Sequence, residues 1–172
     1  AEFPSEFRAP DETFVDRTSL DVGGRRFEVH HALGETDDHA WVWVPDAGVI
    51  CPGDLFIWAS PNCGNPQTVQ RYPCEWAAAL RAMDALGAEV LCPGHGVPIW
   101  GAAEVHRALD ETASFLDSLV DQVIAMMNAG ARLDLRSPHR FGGARRLHPP
   151  QIIAFTLDPR LFGLDRRDGR AQ

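Results

Sequence analysis

The chain has 172 residues, 45% of them apolar, which suits one domain with a sizeable core and gives no reason to expect two. Its formal net charge is −8, held by residues 1–130, where 7 Arg face 20 Asp plus Glu, while residues 131–172 carry 9 Arg against 4 Asp. So acidic a body excludes nucleic acid as the main partner, because phosphate recognition needs a basic surface, and no run approaches the roughly 18 apolar residues of a membrane span.

Residues 1–18 are polar, with Pro4 and Pro10, and read as a lead-in with little regular structure. With neither a basic start nor an apolar stretch resembling an export signal, they point to a cytoplasmic protein. From Ser19, two apolar runs flank Gly23-Gly24, a hairpin signal. AWVWV (40–44) and GVICPG (48–53) flank Pro45-Asp46 and predict a second strand–turn–strand unit. Residues 55–70 begin apolar and then carry Pro61, Gly64 and Pro66, which predicts an irregular connection.

Trp76, Ala79, Leu80, Met83 and Leu86 recur at helical spacing, so a helix is predicted from about Cys74 to Leu86, stopped by Gly87. EVLCP (89–93) reads as a buried strand broken by Gly94-His95-Gly96. A long amphipathic helix follows from about Ala102 to Ala129, and Gly130 ends it. Residues 134–172 lose periodicity and read as a poorly structured Arg/Pro/Gly-rich tail. The four cysteines form no C-x-x-C pair and read as ordinary thiols.

Three motifs fall where strands end: Gly34-Glu35-Thr36-Asp37-Asp38-His39, Pro52-Gly53-Asp54-Leu55 and Pro93-Gly94-His95-Gly96. Each sets a metal-ligand side chain beside glycine, which lets the backbone turn and project that side chain into a cleft. Two carboxylates and an imidazole suit zinc, with manganese or iron as alternatives.

In this order and spacing the motifs resemble the second half of the metallo-β-lactamase superfamily, over roughly residues 10–130. The resemblance implies an α/β fold, half of an αββα sandwich with a mixed sheet and helices on one face, formed by residues 19–133. The first motif is often Gly-His-Thr in that superfamily. Glu35 in the histidine's place, together with GDLFIWASPNCGNPQ, resembles the alkyl and aryl sulfatase-like branch.

That resemblance implies two zinc ions, with Asp54 bridging them as the catalytic ligand, Glu35 completing the first site and His95 the second. Hydroxide held by the metals would attack a sulfate ester whose alcohol part is apolar. Asn62, Asn65, Gln67 and Arg71 would balance the anionic ester oxygens, and Trp58 would face the apolar part. His39 would orient a ligand from behind, with Asp38 beside it.

The superfamily's earlier motif, His-x-His-x-Asp-His, does not occur in the chain. His30 and His31 are adjacent, so on a strand they face opposite sides and cannot enter one site together. The chain alone is therefore expected to be an inactive, incomplete half, a fragment of a longer protein or a truncated gene product, or else one that associates with a missing N-terminal half or a second copy, besides its small-molecule substrate. The competing readings are an ester, thioester or lactone hydrolase on the same fold, and a degenerate, non-catalytic module that associates through its exposed sheet face.

Overall fold

Gly23 and Gly24 both adopt left-handed φ, 61° and 79°, and turn the chain between strands β1 (Arg17–Val22) and β2 (Arg25–Ala32). This is the two-residue hairpin the sequence predicts. The computed structural model describes residues 9–63 and 71–130. β3 (His39–Val44) and β4 (Val49–Ile57) flank a short 3-10 turn at Pro45–Ala47, as the proline predicts. Helix α1 (Pro73–Asp84), strands β5 (Val90–His95) and β6 (Ile99–Trp100), and helix α2 (Ala102–Asn128) complete the described chain. The tail at 134–172 lies outside the described residues.

The six strands form one sheet in sequence order. Every neighbouring pair is antiparallel except β4 and β5, which run parallel on either side of the α1 crossover. The sheet is mixed and the fold is α/β, a single sheet with helices on one face.

Period-two alternation sorts the side chains. One ladder runs Trp43–Ile50–Leu91–Ile99 across β3 to β6 and faces the helices. Trp76, Leu80 and Met83 of α1 and Val105, Leu109 and Leu116 of α2 bury against it. The next ladder, Val44–Val49–Val90–Trp100, faces the other way. Val44 and Val90 are buried there without joining the helix-side core.

Two boundaries differ from the sequence expectation. β4 runs on through Leu55 and Phe56, both buried, where an irregular connection was predicted; core packing of these two side chains outweighs the loop-like composition that follows. β5 likewise continues through Gly94 to His95, because its last residues still pair with β4, Gly53 to Pro93 and Ile57 to His95. The apolar stripe of α2 is buried as far as Leu116, while Val123, Ile124 and Met127 further along it are exposed.

Candidate functional site

Asp54 lies within β4 and His95 ends the neighbouring parallel strand β5, so the crossover brings together two residues distant in sequence. His95 Nε2 stands 3.4 Å from Asp54 Oδ1, with the side chains 76% and 40% exposed. That is longer than a good hydrogen bond. It does match zinc: donors each 2.0–2.1 Å from a tetrahedral zinc lie about 3.3 Å from one another.

Two glycines make this approach possible. A Cβ on Gly94 would fall 2.5 Å from Asp54 Oδ1, so only glycine leaves the carboxylate free. Gly53 adopts φ 57°, and a Cβ there would meet His39 Nε2 at 2.8 Å. His39 uses that space: its Nε2 donates to the Pro52 carbonyl at 3.1 Å and ties β3 to the stretch of β4 that presents Asp54. Asp38 is exposed.

Trp58 borders the same corner. Its Nε1 donates to the Val97 carbonyl at 2.7 Å, its ring meets Phe56 edge-on at 5.8 Å, and it lies so close to Gly96 that a Cβ there would overlap it. Asn62 is exposed. Asn65 and Gln67 lie outside the described residues.

Glu35 has a different partner. Tyr72 N–H donates to the Gly34 carbonyl at 3.0 Å, which lays the start of α1 against the Gly34 turn. Arg71, one residue earlier, forms an ion pair with Glu35 through Nη1 and Oε1. The Arg71 side chain is only 10% exposed, and among the described residues its Nε and Nη1 have no aligned hydrogen-bond partner. Sequence alone offers no signal for this pairing, since neither residue's motif points to the other.

Among the described residues, no three His, Cys, Asp or Glu side chains group closely enough to hold a metal ion. The structure brings together Asp54 and His95 and places Glu35 with Arg71. Asp54 and His95 fit zinc by donor type and spacing, as two donors short of the four a tetrahedral site takes.

His30 and His31 have partners of their own. His30 stacks on Trp41 at 4.1 Å, and burial lowers its pKa. His31 is exposed and its Nε2 donates to the Asp37 carbonyl at 2.9 Å. A cavity of about 330 Å³ on β1 and β2, lined by Arg17, Thr18, Ser19, Arg26, Glu28 and His30, shares no residue with Asp54 or His95.

A mixed sheet with helices on one face, and a carboxylate and an imidazole on adjacent parallel strands, define the class as a metallo-β-lactamase-type α/β fold. The chain belongs to the metallo-β-lactamase superfamily, whose family model matches residues 2–95. It is 29% identical over 134 residues to a linear primary-alkylsulfatase of Pseudomonas sp. (strain ATCC 19151), covering 76% of this chain and 25% of that protein.

Among solved structures, it is similar to the stereoselective inverting sec-alkylsulfatase Pisa1 from Pseudomonas sp., with TM-score 0.65 and 24% identity, over 71% of this chain and 20% of that one. It is also similar to a metallo-β-lactamase family protein from Thermus thermophilus, with TM-score 0.53 and 25% identity, over 67% of this chain and 38% of that one. The alkylsulfatase match agrees with the branch that Glu35 and the stretch after Gly53 resemble. The chain spans about a quarter of the length of its curated relative.

Proposed function

We propose that this chain supplies part of the zinc site and substrate pocket of an alkyl or aryl sulfate ester hydrolase. The observation that carries the reading is the 3.4 Å approach of Asp54 and His95 beside Gly94. Asp54 and His95 would be zinc ligands, with Asp54 the one at the reacting centre, and His39 holds the Pro52-Gly53 stretch of β4 that aims Asp54. Zinc, when bound, supplies Lewis-acid chemistry to a substrate oxygen and to water.

Glu35 would join the ligand set by exchanging its Arg71 partner for metal. Arg71, buried and with unused N–H donors, would then be free to hold the anionic ester oxygens. Trp58 borders the corner and would lie against an apolar alcohol chain. The other ligands of a two-zinc site, of the His-x-His-x-Asp-His type, have no counterpart in this sequence and would come from a complementary half.

Elemental analysis of the purified chain tests the ligand assignment. Zinc is expected in the parent and is expected to fall at least tenfold in Asp54→Ala and His95→Ala, with circular dichroism unchanged. A metal-free parent after zinc loading would refute a site on this chain. Hydrolysis of a chromogenic aryl sulfate only when a chain carrying His-x-His-x-Asp-His is added would support the split site.

A second reading has its own observation. Leu20, Val22 and Trp100 are 46%, 62% and 70% exposed on the sheet face opposite the helices. That face favours association, with or without catalysis, as the chain's role. Ester, thioester or lactone hydrolysis remains the competing chemistry, and parallel assays on those substrate classes decide it.

A further inference from the structure

Cys51 and Cys92 take no part in the chemistry above. Cys51 follows Ile50 on β4 and Cys92 follows Leu91 on β5; Ile50 and Leu91 are register partners across the parallel pair, and the register shifts just beyond them, before Gly53 meets Pro93. Ile50 and Leu91 face the helices, so the next residue on each strand faces the opposite side of the sheet. Cys51 there pairs with Val42 of β3. Both cysteines are half-buried free thiols, and Cys92 lies near enough to Cys51 to contribute to the raised pKa of its thiol. Adjacent strands stand about 4.8 Å apart, within the Cα separation that a disulfide bridges.

We propose that Cys51 and Cys92 form a cross-strand dithiol site that a peroxide oxidises to an intramolecular disulfide. One thiolate sulfur attacks a peroxide oxygen, the O–O bond breaks, and the departing hydroxide takes a proton to become water. The second sulfur then displaces the sulfenic hydroxyl, which leaves as water once protonated, and the S–S bond forms. Two thiols and one hydrogen peroxide thus become one disulfide and two waters, the sulfurs oxidised and both peroxide oxygens reduced. The bond would tie β4 to β5 three residues before Asp54 and three before His95.

The surroundings set the rate. Burial raises the Cys51 thiol above its ordinary pKa, and neighbouring Cys92 adds to the shift. Thiolate is therefore scarce near neutrality, and oxidation should accelerate about tenfold per pH unit below that raised value. Cys63 is a poor competitor, since burial pushes its thiol up to about 11. Cys74 is exposed at the start of α1 and is the thiol most open to side reactions.

The test uses the full chain carrying Cys74→Ser, treated with hydrogen peroxide at about pH 8 and mapped by non-reducing peptide mass spectrometry. A Cys51–Cys92 linked peptide is expected, with two thiols lost together and recovered on reduction. Adding Cys51→Ser or Cys92→Ser should abolish that link, and prior unfolding in urea should replace it with mixed pairings. Separate sulfinic acids at the two positions, a link through Cys63, or two intact thiols after prolonged treatment would each overturn the proposal. The outcome is independent of zinc, so its failure and failure of the metal-site reading are distinguishable.

Discussion

The two faces of the sheet are built from the same strands and satisfied to different degrees. On the helix side, Trp41, Ile50, Leu91 and Ile99 are at most 8% exposed, closed over by Trp76, Leu80, Leu109 and Leu116. On the other side, Val44 and Val90 in the middle strands are buried, but Leu20, Val22 and Trp100 on the outer strands are left open. A sheet face of this kind calls for a second layer. The comparison teaches that the helix layer holds the described fold together, while the open face is where a partner would add stability.

The largest expected effect lies on the closed face. Trp76 is almost fully buried, and its Nε1 donates to the Leu55 carbonyl at 2.7 Å. Trp76→Ala should cost about 3–5 kcal/mol in urea denaturation. A loss below about 1 kcal/mol would break the claim that the helix layer carries the stability.

A smaller, pH-dependent effect is expected at the rim of that layer, where His106 Nδ1 of α2 lies 2.9 Å from Asp84 of α1. The hydrogen bond and charge of Asp84 raise the His106 pKa. A raised folded pKa contributes fully below the unfolded value near 6.5 and is lost as pH rises through the raised value. The parent should therefore exceed His106→Gln in melting temperature at about pH 6, and the gap should close by about pH 9. A gap that grows with pH would reverse this assignment.

On the open face, Leu20→Ser and Trp100→Ser should each move stability by no more than about 0.5 kcal/mol, because neither side chain is buried by this chain. Sedimentation should nonetheless show weaker self-association in both. If these two substitutions cost as much as Trp76→Ala, the faces would not differ in the way described.

Much of the fold is legible in the sequence because its signals are local. Gly23-Gly24 specifies a hairpin, and the spacing of Trp76, Leu80 and Met83 specifies α1 within two residues at its C-terminal end. The motif at Gly94 marks the end of the strand that carries His95, whereas Asp54 lies inside β4, which runs on to Ile57. What escaped depends on contacts between distant segments. β6 is two residues long and exists because Ile99 and Trp100 pair with Leu91 and Val90. The run of β4 through Leu55 and Phe56 reflects burial under α1, which no local pattern announces.

The site shows the same division. Ligand-type residues could be named from their motifs, and the structure sets two of them, Asp54 and His95, side by side. The ion pair of Glu35 with Arg71 could not, because a hydrogen bond from Tyr72 to Gly34 sets it. Nor could the nearness of Cys51 and Cys92, which depends on β4 and β5 lying side by side. His106 reads from its helix position as a solvated side chain, and it is exposed, yet Asp84 engages it from another helix.

The parallel pairing of β4 and β5 has a kinetic consequence. β1 to β4 form by successive antiparallel neighbours with short turns, whereas β5 can dock only after the chain has passed through all of α1. Non-local pairing of this kind is slow, because loop closure is met before the contacts that reward it. Asp54 and His95 are therefore expected to meet late in folding, so a metal that engages both would bind the finished sheet and not its precursors.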